Sequence, residues 1–307
     1  MEFQRDVSLK NHTTFKIGGR AKYFFTARTK KDLIKAVKAA KKLKLPFFVL
    51  GGGSNLLVSD EEFKGLVVKI QNTKYKILNT KIMAEVGVTL GQLVRASGKA
   101  GLTGLEWASG IPGTVGGAVF GNAGAFQKSM KDVVETVETF NLNNKKIKIL
   151  KNRDCKFGYK KSIFKKDKNL VILSCTLQLK RGNKKEIKEK VKYFLDYREK
   201  NHPLDFCSAG SVFKNCKLRV MNQKLFNKLP KLKQFQEKGI IPAGYLIEKC
   251  GLKGKRIGQA KISEKHANFI VNLGNARAKD VKKLINLIKK EVKKKFKINL
   301  EEEIQFL

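Results

Sequence analysis

At 307 residues the chain is long enough for about two domains, and its 42% hydrophobic content is enough to bury a core, which excludes disorder throughout. Its 66 Lys and Arg against 26 Asp and Glu give a net charge of +40. That charge is spread in short lysine clusters rather than gathered into one basic arm, so it reads as solvated surface that favours anionic ligands, with nucleic-acid binding nonspecific at most. No apolar run approaches the ~20 residues of a membrane span, and Met1-Glu2-Phe3-Gln4-Arg5-Asp6 has no apolar signal core. The five cysteines (Cys155, Cys175, Cys207, Cys216, Cys250) form no C-x-x-C pair, and His12, His202 and His266 are scattered. The expectation is a reduced, cytoplasmic protein with no metal.

In chain order, Ala21–Ala27 reads as a strand and Lys30–Leu43 as an amphipathic helix with Leu33, Ala36, Val37 and Ala40 on one face. Phe47–Leu50 is a short buried strand, followed by strands at Leu66–Ile70 and Ile82–Val86. A helix over Leu90–Ala100 ends at Gly101, where glycine can take the left-handed cap. Beyond a glycine-dense stretch, Val133–Leu142, Lys146–Leu150 and Leu170–Leu179 read as strands, and Lys184–Arg198 as a helix near a domain boundary. The last part holds a helix-competent stretch at Ala243–Cys250, a strand at His266–Leu273, a helix at Ala278–Phe296 and a strand at Ile298–Phe306. The fold class is α+β.

Glycine carries the densest chemical signal. Gly51-Gly52-Gly53 follows a buried strand and leads into Ser54-Asn55-Leu56. Glycine lets backbone N–H groups approach an anion unobstructed. No Lys follows in P-loop register and no helix opens, so neither nucleotide motif applies, and a plain tight turn is an equal reading of this segment alone. A second run, Glu106 to Ala125, holds six glycines, four alanines and the only Trp. Two such loops point to a dinucleotide with a pyrophosphate.

Taken together, Gly51–Leu57, Ser109–Ala118 and Gly121–Ala125 resemble the flavin cradle of the UDP-N-acetylenolpyruvoylglucosamine reductase family. The similarity continues through Asn11–Gly19, Phe157–Phe164, Ser208–Asn215, Ser263–Asn272 and Leu300–Phe306, in one order over nearly the whole chain. The resemblance implies a two-subdomain FAD-binding cradle of the vanillyl-alcohol-oxidase type at 1–70 and 71–198, followed by a smaller α/β substrate domain at 199–307. It implies that NADPH reduces bound FAD, and that the flavin then passes hydride to the enolpyruvyl double bond of a UDP-sugar. Protonation completes the reduction to UDP-N-acetylmuramate, a step of peptidoglycan synthesis and hence of cell-wall biogenesis, cell shape and division.

By motif position the resemblance makes Ser211 the proton donor and Glu303 the carboxylate that stabilises the enolic intermediate. Lys160 stands where the family usually has an Arg that grips the substrate carboxylate, with Tyr159, Lys214 and Asn215 facing substrate. Lys supplies the charge without the planar fork. The implied cofactor contacts are Gly51, Gly52, Gly53, Ser54, Asn55 and Leu56, then Gly110, Ile111, Pro112, Gly113, Thr114, Gly116, Gly117, Asn122, Ala123, Gly124 and Ala125. Gln305 and Asn201 are further departures from basic residues in the family, with Arg198 or Lys200 as substitutes for the latter. The absence of histidine beside Gly51–Asn55 implies non-covalent FAD. The short Asn215–Ala243 connection implies the shorter form of the family, without the tyrosine-loop insertion, and the expected state is a monomer. The alternative is an FAD-dependent oxidase or dehydrogenase of the same cradle acting on another small molecule.

Overall fold

The computed structural model describes residues 2–217, 235, 237 and 239–307. The chain divides into two compact units. The first comprises Met1–Val7, Ala21–Gly53 and Glu62–Lys200, and the second Ser8–Arg20, Ser54–Glu61 and Asn201–Leu307.

The first unit carries two sheets. In the four-stranded one the order is Gln4–Ser8, Arg20–Ala27, Phe63–Ile70, Phe47–Leu50. Phe63–Ile70 pairs in parallel with both flanking strands, setting Leu50 beside Lys69. Parallel pairing requires crossovers, and helix α1 (Lys30–Lys42) supplies one. Thr29 and Asp32 cap it reciprocally, and Leu33, Ala36, Val37 and Ala40 are buried as their spacing requires. The five-stranded sheet, in the order Ile147–Lys151, Val134–Asn141, Leu170–Gln178, Lys81–Glu85, Tyr75–Leu78, is antiparallel. Around it lie α2 (Leu90–Lys99), α3 (Val115–Gly121), the single turn α4 (Ile163–Lys166) and α5 (Lys184–Asn201). Gly101, past the end of α2, has φ +65°, the left-handed geometry expected of it.

The second unit folds a four-stranded antiparallel sheet, in the order Cys207–Ser211, Phe269–Asn272, Ala260–Ile262, Arg256–Ile257. The helices Ala243–Lys249 and Ala278–Phe296 bury Leu246, Ile247, Leu284, Ile285, Ile288 and Val292 in its core. Asp60 accepts from the N–H groups of Ala278 and Lys279 at 2.8 and 3.0 Å, at the start of the long helix.

The strands Gln4–Ser8, Tyr75–Leu78, Arg256–Ile257 and Ala260–Ile262 lie where the sequence reading placed none, and three elements near the site differ from it. Within the glycine-dense stretch, Val115–Gly121 is helical, because Thr114 caps it and Val115, Ala118 and Val119 bury one face. The strand expected over His266–Leu273 is limited to Phe269–Asn272. Of the strand expected over Ile298–Phe306, only Gln305–Phe306 is regular, with a single bridge at Glu302. Acidic Glu301–Glu303 crosses the Val212–Lys214 segment instead of running along a sheet, as the bonds of Lys214 N to Glu301 O and Glu303 N to Val212 O record.

Candidate functional site

The two glycine runs meet within the first unit. A Cβ on Gly51 would stand 2.5 Å from Thr114 Oγ1, and one on Gly52 2.9 Å from Gly113 Cα. Any side chain at either position would push the loops apart. The second loop is laid along the strand-to-helix corner that opens α2. Gly116 N donates to Val86 O at 3.0 Å, Val115 N to Val88 O at 2.8 Å, and Leu90 N to Gly113 O at 3.1 Å. Beside this joined ridge the surface of α3 is open. A Cβ on Gly117 would meet nothing nearer than Thr114 Oγ1 at 3.8 Å, and one on Gly121 nothing within 4 Å. Bare helix backbone beside two packed glycine turns fits an extended planar ligand bearing a pyrophosphate, as FAD is.

Sequence reasoning did not identify Lys69. Its ammonium, on the strand next to Leu50, donates to the Gly51 carbonyl. Burial holds its pKa below the usual lysine value. A cation thus lies against the first turn of the ridge; the signal available in the sequence was a lone Lys in the otherwise apolar run Gly65–Ile70. Arg198 is also inward-facing. Its Nε donates to Ser109 O at 2.7 Å, Nη2 reaches Trp107 O at 3.5 Å, and the guanidinium stacks over Phe126. Burial lowers its pKa. It clamps the front of the second loop.

Gly124 and Ala125 pair with Ser129 and Lys128 in a tight hairpin whose Phe126 and Gln127 have φ +50° and +62°. Asn122, at φ +45°, ends α3 and ties it to the Tyr159–Lys160 turn, donating to Gly158 O at 2.8 Å and accepting from Lys131 N at 2.9 Å. Lys160 has φ +53° in this turn, and its Nζ lies 3.4 Å from Gly124 O. Tyr159 is exposed. Ile111 and Ala123 are half-buried, Pro112 is exposed, and Gly53 and Gly110 have φ +65° and +71°.

In the second unit, Ser211 and Glu303 are brought onto adjacent segments. Ser211 ends its strand opposite Phe269, and Val212 O, one residue on, accepts from Glu303 N at 2.8 Å. Asn268 braces the same segment from the other side. Its Nδ2 donates to Phe213 O at 2.9 Å, its Oδ1 accepts from Phe213 N at 3.0 Å, and its carbonyl accepts from Val212 N at 2.8 Å. His266 Nδ1 accepts from Asn268 N at 3.2 Å, and burial lowers the His266 pKa, favouring the neutral ring such a bond needs. Lys214 Nζ pairs with the Glu301 carboxylate at 3.0 Å, and Asn215 Oδ1 accepts from Ala243 N, at the start of the helix Ala243–Lys249, at 3.2 Å. Asn55 Nδ2 donates to Glu303 O at 3.1 Å, and Leu56 is buried in the strand that pairs in parallel with Gln305–Phe306. Most of the connection from Asn215 to Ala243, on which the short-form expectation fell, lies outside the described residues.

Known proteins resemble this chain over nearly its whole length. The family profile "UDP-N-acetylenolpyruvoylglucosamine reductase, C-terminal domain" matches residues 202–307, and "FAD binding domain" matches 21–149. The UDP-N-acetylenolpyruvoylglucosamine reductase of Caldanaerobacter subterraneus subsp. tengcongensis is 42% identical over 97% of this chain and 91% of its own length. That of Caldicellulosiruptor bescii is 43% identical over 100% and 91%. The crystal structure of UDP-N-acetylenolpyruvylglucosamine reductase from Thermus caldophilus is similar at a TM-score of 0.80 and 34% identity, covering 100% of this chain and 99% of that one.

Proposed function

The chain belongs to the UDP-N-acetylenolpyruvoylglucosamine reductase family, and from that premise we propose how its own residues carry the reaction. It is an FAD-containing, NADPH-dependent oxidoreductase that reduces UDP-N-acetylglucosamine enolpyruvate to UDP-N-acetylmuramate in peptidoglycan precursor synthesis. The alternative of another small-molecule substrate is not favoured by these relatives. FAD, when bound, supplies the redox chemistry, carrying reducing equivalents from NADPH to the enolpyruvyl double bond.

The ridge of Gly51–Gly53 and Gly113–Gly117 takes the cofactor's pyrophosphate, with Thr114 and Asn122–Ala125 completing the cradle within the first unit. Lys160, beside Tyr159, attracts the substrate carboxylate as a point charge. Reduction next to that carboxylate builds enolate-like charge on the substrate, which Glu303 stabilises by sharing a proton. Ser211 then returns a proton to carbon, and Lys214 and Asn215 line the substrate side. The observation that carries this assignment is the 2.8 Å bond from Glu303 N to Val212 O, which fixes the carboxylate's backbone one residue from Ser211. We place the reaction in the cytoplasm of a walled cell, catalysed by a monomer, where its loss disturbs cell shape and division. Replacing Ser211 with Ala is expected to slow product formation by about 10²- to 10⁴-fold, the range of a lost general acid. An unchanged rate of UDP-N-acetylmuramate formation would remove Ser211 from the role.

A further inference from the structure

We infer that Asn55 is a positioning residue for Glu303, acting on the carboxylate through its backbone; this rests on the role proposed above for Glu303. Asn55 belongs to the Gly-Gly-Gly-Ser-Asn motif, where its amide is readily read as a ligand donor. Its Nδ2 is instead 3.1 Å from the carbonyl of Glu303, 248 residues away in sequence. Its own carbonyl accepts from Gln305 N at 3.0 Å. One asparagine therefore brackets Ile304, holding the peptide groups on both sides of it, while Ile304 itself is buried at 4% exposure.

On its other side Glu303 is held by the bond from its N–H to Val212 O. Both peptide groups flanking the Glu303 Cα are thus tied, one to the segment that carries Ser211 and the other to Asn55. The chain's last strand continues the restraint, because Gln305–Phe306 pairs in parallel with Leu56–Leu57 and Leu307 N donates to Leu57 O at 3.1 Å. A glutamate side chain has three rotatable bonds, so the direction of its Cα–Cβ bond sets where the carboxylate can reach. Rotation of one unpinned peptide by a few tens of degrees carries the carboxylate by about 1 Å, a displacement that can lower a rate about 100-fold.

Removing the donor leaves the Glu303 carbonyl half-buried without its partner and frees the peptide. Asn55→Asp is the sharper probe. It keeps the shape of the side chain but turns a donor into an acceptor, so two oxygens face each other across the former hydrogen bond. The matching control is Glu303→Gln, which removes the carboxylate and leaves every backbone bond in place.

The test is a double-mutant cycle on the full-length protein loaded with FAD, with the two half-reactions followed separately by flavin absorbance. The expected result is that Asn55→Ala and Asn55→Asp slow reoxidation by the enolpyruvyl UDP-sugar by about 10- to 100-fold. That loss exceeds any loss in reduction by NADPH at least tenfold, and Asn55→Ala slows reoxidation no more than about twofold further when added to Glu303→Gln. In the cofactor-free protein, hydrogen exchange of residues 301–307 should also quicken on Asn55→Ala. Equal slowing of both half-reactions, or multiplicative losses of Asn55→Ala and Glu303→Gln, would overturn the inference while leaving the Glu303 role intact. A Glu303→Gln single variant that reoxidises at the unaltered rate would overturn both. Should Asn55→Ala fail to fold, the isosteric Asn55→Asp in the same cycle decides between these outcomes.

Discussion

Lys69 shows how much a single side chain contributes here. Its ammonium sits against the Gly51 carbonyl, partly withdrawn from water, which lowers its pKa. With the pyrophosphate proposed on Gly51–Gly53, this cation lies next to a dianion in a region of reduced dielectric, where such a pairing contributes about 1–3 kcal/mol. Lys69→Met keeps the aliphatic stem and removes the charge. Titration of the cofactor-free variant should show FAD affinity reduced about tenfold, the equivalent of 1.4 kcal/mol, with riboflavin affinity little altered. Equal losses for both ligands would mean that Lys69 serves the loop's shape and not the pyrophosphate. Asparagine illustrates what a sequence conceals at this scale. Asn55 and Asn122 were legible as members of the cofactor motifs, but their amide partners are backbone groups 248 and 36 residues away. Asn268, which braces the Ser211 segment, drew attention only as part of a motif. The composition of a loop announces its chemistry, whereas the partner of a buried amide is set by tertiary contact.

At the scale of elements, the signals that worked were those with strong periodicity and caps. Helix α1 and the helix Ala278–Phe296 lie where their apolar spacing places them, because each buries one stripe; the first begins at the reciprocal Thr29–Asp32 cap, and the second where Asp280 accepts from Arg277 N and Asp60 from Ala278 N and Lys279 N. Helix α3 was hidden, since three of its seven residues are glycine and local propensity argues for a loop; burial of Val115, Ala118 and Val119 overrides it. The end of α5 also acts at a distance, through Arg198. Its guanidinium satisfies the carbonyls of Trp107 and Ser109, so Arg198→Gln leaves buried acceptors short of donors, at a cost of about 2 kcal/mol. The thermal midpoint should fall by about 4–8 °C. Emission from Trp107, the chain's only tryptophan, should shift as the loop loosens. An unmoved emission spectrum and midpoint would show that the clamp does not hold the loop.

Over the whole molecule the net charge of +40 sets the electrostatic background. Ion pairs such as Lys81–Glu135 and Lys289–Glu302 engage a few of the 66 cations, and the excess repels itself. Raising ionic strength from about 0.01 M to about 0.15 M shortens the Debye length from about 30 to about 8 Å, so salt should stabilise the fold and strip bound polyanions. A thermal midpoint that falls as salt is added would contradict this. The same field draws in the anionic FAD, NADPH and UDP-sugar on which the proposed reaction depends. The most direct test of that reaction is an anaerobic absorption spectrum of the FAD-loaded protein, taken before and after NADPH and again after the enolpyruvyl UDP-sugar. The flavin bands should bleach with NADPH and return with the UDP-sugar. Bands that bleach and stay bleached, or a protein that takes up no FAD, would contradict it.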